Sequence, residues 1–331
     1  KIEKTNEKKQ YFVRGAFFLS IFVIFLLIFT ILTESYDLDR RFSAQFYNLE
    51  EDWFLADKIP WSLLYDFGAI PGILMSIFSF FFWGIFRTHA KWSVLRAYLL
   101  ICGFTPIISS LLMVNVVLKD HTGRPRPREI VQFNGNWEYK PVLKIGIPGR
   151  GHSFPCGHCS IAFCLISGIV FYNQSRRFAI SSLSFGLTFG ILMSLARIVQ
   201  GGHFLSDAVW SLGVVSISLI ILYFFIFQPP IAEKNTALLL TKIQKWKIIG
   251  TVILFFIFLL LFIFNRRPFY KYHKDKFQIS EGIRKLDIFA PKKWVVENIS
   301  FGNSNEGEFI LVIQGFAPPY TTHYLNFTTN E

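Results

Sequence analysis

Seven runs of apolar residues, each near the length of a helix that crosses a bilayer, limit the fold of this chain more than any other feature. They are Gly15–Thr33, Leu63–Phe86, Ala97–Leu118, Pro155–Tyr172, Ala179–Ala196, Leu205–Phe227 and Ile248–Phe264. A hydrocarbon core is crossed by about 20 helical residues, and a helix satisfies its backbone hydrogen bonds within one segment where no water is present. Charged residues make up 17% of the chain, against about a quarter in an average soluble protein. The expected fold is an all-α membrane bundle of seven transmembrane helices, a six-helix core plus one. The first run has no small-residue cleavage site before Glu34, so it reads as an anchor and not as a removed signal.

The formal net charge of +12 invites a nucleic-acid reading, but the placement of the charges argues against it. Lys and Arg collect before Gly15 and in the short loops Arg87–Arg96, Asn173–Arg177 and Lys234–Lys247, whereas Glu34–Pro60 is rich in Asp and Glu. The excess of positive charge in cytoplasmic loops then puts the amino terminus inside and the acidic loop outside. Counting spans places Lys119–Phe154, the turn Arg197–Phe204 and everything after Asn265 outside as well. The last stretch is basic, but long segments are translocated largely regardless of charge.

Three divisions follow: a membrane core over 1–228, a linker and seventh helix over 229–265, and a small extracytoplasmic β-rich appendage over 266–331. Pro229-Pro230 ends the sixth helix. Within the appendage, Trp294-Val295-Val296 and Phe309-Ile310-Leu311-Val312-Ile313 are β-prone, with a turn-forming Asn303–Gly307 between them. In the fifth run, Ser182, Gly186 and Gly190 form a small-residue stripe that permits close helix approach, so that helix is expected inside the bundle.

Chemistry-bearing residues gather where spans end on the outer face. Lys119 closes the third run, and Arg126 follows within Gly123-Arg-Pro-Arg-Pro-Arg128, where prolines stiffen the chain. Pro155-Cys156-Gly157-His158 opens the fourth run; a helix start offers free N–H groups to an anion, and a histidine there can move a proton near neutral pH. Arg197 and the turn Gly201-Gly202 precede His203 and Asp207, which are four apart and share a helix face. A carboxylate can hold one ring nitrogen of such a histidine and leave the other free as base or nucleophile. Fixed cations with two histidines suit a phosphate ester, whose transition state spreads negative charge over its oxygens. A basic loop that only binds lipid phosphate would carry some of the same residues.

These clusters resemble the three signatures of the type 2 phosphatidic acid phosphatase superfamily, Lys-x6-Arg-Pro, Pro-Ser-Gly-His and Ser-Arg-x5-His-x3-Asp. The chain reads Lys119-x6-Arg126-Pro127, Pro155-Cys-Gly-His158 and Ala196-Arg197-x5-His203-x3-Asp207, in the same order and across about Leu63–Phe227. The resemblance implies that His203 is the nucleophile, forming a phosphohistidine, that Asp207 orients it, and that His158 protonates the leaving alcohol. It further implies that Lys119, Arg126 and Arg197 hold the phosphoryl oxygens, helped by the backbone at Cys156 and Gly157, with no metal and no cofactor. Within the superfamily the stretch from Arg197 to Asp207 is most similar to bacterial lipid A phosphatases. That implies a lipid A type or phospholipid substrate and a bacterial inner-membrane enzyme whose site faces the periplasm. Phosphatidylglycerol phosphate, phosphatidic acid and undecaprenyl pyrophosphate stay open as substrates, as does transfer to a second lipid.

Two positions depart from the pattern: Ala196 and Cys156 each stand where the family has serine. A thiol is a weaker donor than a hydroxyl, so Cys156 is expected to weaken phosphate binding. Cys156-Gly-His-Cys159 also opens the alternatives of a thiol-disulfide redox site, or of zinc held by His152, Cys156, His158 and Cys159.

Overall fold

The computed structural model of the chain describes residues 2–86 and 93–229, and beyond them the strand segments 267–276, 287–288, 295–303, 308–317 and 327–328. The expected seventh span Ile248–Phe264 and the loop Lys234–Lys247 lie outside the described residues.

The helices follow the apolar runs. They are α1 (Ile2–Ser35), the short α2 (Leu38–Ser43), α3 (Trp61–Phe67), α4 (Ile70–Phe86), α5 (Ser93–Thr105), α6 (Lys119–Thr122), α7 (Gly157–Phe163), α8 (Arg176–Val199) and α9 (Leu205–Ile220). Among the described residues, five helical segments are long and apolar enough to cross a membrane: Lys9–Ser35, Trp61–Phe86, Leu95–Glu129, Arg176–Val199 and Leu205–Phe227. The fourth expected span is a shorter helix, Gly157–Phe171. It is α7 continued by 3-10 turns over Cys164–Phe171. The 7 residues of α7 and the 8 that follow rise about 27 Å together, because a 3-10 turn climbs ~2.0 Å per residue against ~1.5 Å in an α-helix. The third span changes pitch as well. Pro106 has no N–H to give, and from it a π-helical stretch runs to Leu118 before α6 begins at Lys119. Asn115 Nδ2 donates to the Ser110 carbonyl (2.7 Å) within that wider turn.

The helix α7 lies at the centre. Cys159 and Phe163 on it and Cys156 and Cys164 at its two ends are buried with Tyr98 and Ile101 of α5 and Ala208 and Val215 of α9. The stripe on α8 does allow close approach: a Cβ at Gly190 would stand 2.1 Å from the Phe163 ring, and one at Gly186 2.5 Å from the Ile166 nitrogen. Yet α8 does not lie inside the bundle. Ile180, Ile191 and Leu192 on its other face are exposed, so the stripe seats a border helix against a central one. The anchor α1 leans on α9 through Leu26 at Gly213 and a hydrogen bond from Trp210 Nε1 to Thr30 Oγ1 (2.9 Å).

After residue 266, Arg267–Lys276 pairs antiparallel with Glu308–Ala317, which also pairs with Val295–Asn303.

Candidate active site

Between α8 and α9 the chain turns on Gly201, whose φ is +60° and whose missing Cβ would lie 2.2 Å from the Trp53 ring. A Cβ on Gly202 would lie 2.6 Å from Arg197 Nη2. Glycine is required at Gly201, a side chain at Gly202 would push the Arg197 guanidinium aside, and the tight turn sets Arg197 and His203 beside each other. Nearby, Gly123 reverses the chain at φ +61°. Backbone bonds from Gly146 N to Thr122 O (2.7 Å) and from Ser153 N to Arg124 O (3.0 Å) then tie the loop 146–153 to the end of the third span. That pairing places the Ser153 carbonyl against His203.

His203 is 1% exposed. Its Nδ1 lies 2.6 Å from Ser153 O and 3.6 Å from Asp207 Oδ2. A carbonyl can only accept, so Nδ1 carries the proton and Nε2 keeps its lone pair. Burial pushes the imidazole pKa down to about 3 against the opposing pull of Asp207, so the ring is neutral near pH 7. Asp207, the expected orienting group, is thus farther from Nδ1 than the Ser153 carbonyl.

Asp207 itself is 0% exposed and accepts from Ser153 Oγ (2.5 Å), Phe204 N (2.8 Å) and Arg124 Nη1. Arg124 also donates to Asp39 Oδ2 (2.6 Å), Ser206 Oγ (2.9 Å) and Lys140 O (2.8 Å). Asp39 further accepts from Ser206 N (2.9 Å), Ser206 Oγ (2.6 Å) and Tyr139 Oη (3.0 Å). Burial, and next the charge of Asp39, push the Tyr139 phenol pKa up, which keeps it a donor. The buried chain Asp39–Arg124–Asp207 forms the back of the site.

In front lies a cavity of about 420 Å³. Lys119, Arg126, Arg128, His158, Arg197 and His203 line its basic side. Ala56, Asp57, Ser62, Tyr65, Asp66 and Gln200 line the other. Arg197 Nη1 donates to Gln200 Oε1 (2.5 Å), but Arg197 Nε and Arg126 Nε are buried with no hydrogen-bond partner. An unsatisfied buried guanidinium N–H is costly, and a phosphoryl oxygen is the kind of acceptor it suits. Lys119 and His158 also border a second, apolar groove lined by Ile73, Ile77, Ile107, Leu111 and Ile161.

The expected residues Lys119, Arg126, His158, Arg197, His203 and Asp207 are therefore brought together. Cys156 is not among the residues lining the cavity. Its side chain is 0% exposed and turned into the apolar core, because it bridges to Cys159 in a disulfide and accepts Cys159 N as the cap of α7 (3.1 Å). The side chain at 156 therefore does not take the place of the family's serine on the cavity wall. Gly157 borders the apolar groove. Both sulfurs of the disulfide are sealed from solvent, which leaves an exchanging thiol no route in. The zinc alternative also lacks its thiolates, and among the described residues no group of three His, Cys, Asp or Glu is placed to hold a metal. Ser153, Arg124, Asp39 and Tyr65 were not singled out as site residues by the sequence. Arg124 had a signal, its place in the basic Pro-rich run; the carbonyl of Ser153 had none.

Cations, a histidine with a free Nε2 and a second histidine on one cavity at the end of apolar helices define a membrane-embedded phosphatase. The model of the PAP2 superfamily matches residues 95–230. The lipid A 4'-phosphatase of Francisella tularensis subsp. novicida (strain U112) is 30% identical over 211 residues, covering 62% of this chain and 90% of that protein. Lipid A 4'-phosphatases of Rhizobium leguminosarum and Rhizobium etli are 35% and 32% identical over 106 and 102 residues. Those matches cover 45% and 39% of the rhizobial proteins and 32% and 30% of this chain. No solved structure matches. The chain belongs to the PAP2 superfamily and is a membrane lipid phosphatase similar to bacterial lipid A phosphatases.

Proposed function

We propose that the enzyme removes a phosphate monoester from a lipid A type glycolipid, through a phosphohistidine on His203 and without a metal ion. The observation that carries this reading is the hydrogen bond of His203 Nδ1 to Ser153 O (2.6 Å), which fixes the tautomer with Nε2 as the nucleophilic atom. Lys119, Arg126 and Arg197 receive the phosphoryl oxygens and supply the charge a metal would otherwise bring. Nε2 attacks phosphorus, and the proton on Nδ1 stays with Ser153 O and Asp207, which stabilise the imidazolium as its second nitrogen becomes bonded. His158 gives its proton to the leaving oxygen, then takes one from the water that hydrolyses the phosphohistidine. The apolar groove sharing Lys119 and His158 with the cavity suits an acyl chain beside a phosphate, and the relatives' shared name supports lipid A in particular.

In this reading the amino terminus is cytoplasmic, seven helices cross a bacterial inner membrane, and the cavity faces the periplasm. The strands after residue 266 belong to an extracytoplasmic appendage, and the units are 1–228, 229–265 and 266–331. The test is phosphate release by detergent-purified protein in EDTA from lipid A, phosphatidic acid, phosphatidylglycerol phosphate and undecaprenyl pyrophosphate. Preference for lipid A, with an acid-labile, base-stable phosphoenzyme trapped in the wild type and absent in His203→Ala, is the expected result. A preference for another lipid overturns the substrate, and turnover surviving in His203→Ala overturns the mechanism.

A further inference from the structure

Tyr65 lies on α3 (Trp61–Phe67), outside the residues that the family model matches, yet it touches two members of the site. Its ring centroid is 5.3 Å from that of His158, with the planes tilted by 33°. On the same ring, the Arg197 guanidinium carbon lies 4.5 Å from the centroid. Arg197 is gripped elsewhere by Gln200. The position of α3 is set independently of these contacts, because Gly68 at its end meets α8: a Cβ there would stand 2.1 Å from Met193 Cε, and Met193 is 0% exposed.

We propose that Tyr65 is a positioning residue for the leaving-group acid, holding the His158 imidazole between its own ring and the phosphate cavity in the direction of the departing oxygen. His158 sits in the first turn of the short α7, and a general acid must hold its N–H within about 2.6–3.2 Å of the oxygen it serves. An imidazole free to turn about two side-chain torsions would spend little time there. An aromatic ring against one side of it removes much of that freedom, and the same ring attracts the Arg197 cation. One side chain thus sets the spacing between the acid and a phosphate ligand. The inference rests on the reading that His158 protonates the leaving oxygen.

Substrates that differ only in their need for that proton provide the test. The alkoxide of a lipid phosphate needs it; the phenolate of 4-nitrophenyl phosphate leaves without it. We expect His158→Ala to lose about 10²-fold or more in kcat/KM on the lipid and far less on the aryl ester. Tyr65→Leu should lose about 10-fold more on the lipid than on the aryl ester, whose remaining hydrolysis also reports that it is folded. Tyr65→Phe, which keeps the ring, should recover most of the lipid turnover. Equal losses on both substrates in Tyr65→Leu, or no loss on the lipid, overturn the inference while leaving His158 as the acid. If His158→Ala itself shows no contrast, the reading of His158 fails and the inference falls with it.

Discussion

The two sides of His203 are built on opposite terms. Behind it, Asp39, Arg124 and Asp207 are each at most 1% exposed, and every one of these charges meets an opposite charge and at least two further donors or acceptors. In front of it, Lys119, Arg126 and Arg197 crowd like charge around one cavity, with two guanidinium N–H groups left without a partner. The back is complete in the protein alone. The front becomes complete only with an anion in it, and the contrast separates the part that holds the fold from the part that meets the substrate.

The largest effect expected lies at the junction. His203→Gln removes the nucleophile, and its amide can still donate to Ser153 O, so turnover should drop about 10⁴-fold or more with the melting temperature little changed. A comparable loss of melting temperature would place His203 with the structural side and break the division. Next comes the back: Arg124→Met strands two buried carboxylates, Asp39 and Asp207. Removing one partner of such a network costs about 3–5 kcal/mol, read as a lowered Tm in detergent without any ligand. A Tm equal to that of the wild type would show that the network is not what holds this end of the bundle. The front should respond in the reverse sense. Arg197→Met should lower kcat/KM about 10²-fold and leave Tm equal or higher, since it removes a buried guanidinium with an unpaired N–H. Inorganic vanadate, a phosphate mimic, should raise the Tm of the wild type and do so less in Arg197→Met.

The sequence shows the front more clearly than the back for a physical reason. Lys119, Arg126, His158, Arg197 and His203 carry their chemistry in their side chains and lie at readable intervals on the ends of apolar runs. The partner nearest His203 Nδ1 is a backbone carbonyl, which any residue at position 153 would also possess, and its placement depends on pairing between the segments 122–124 and 146–153. Asp39 reaches Ser206 across 167 positions, a separation that no local pattern encodes. At Cys156 a match of letters gave no direction for the side chain. The sulfur points away from the cavity, into the core and to Cys159. The fold was legible to a similar depth. Apolar length located the helices, but the 3-10 turns over Cys164–Phe171 and the π-helical turns over Pro106–Leu118 answer to packing around α7, and their letters look like any other apolar run.

The smallest effect expected is a pH dependence of stability that belongs to the junction alone. In the unfolded chain His203 takes a proton at about 6.5, whereas in the folded protein burial holds its pKa down to about 3. Between those values the unfolded state binds more protons, so stability is fully present above about pH 6.5 and is lost as the pH falls toward 3. From pH 7.5 to 5.5 the loss from this one group is on the order of 1 kcal/mol. Other groups titrate over the same range, including His152, whose pKa burial also lowers; comparison with His203→Gln cancels them. The wild type should lose Tm on acidification more steeply than that variant, by the amount of this single histidine. Parallel slopes would mean that His203 is already charged near neutrality, which the carbonyl at Nδ1 would permit only at the expense of the lone pair on Nε2, and the nucleophile would then have to be generated by the arriving phosphate.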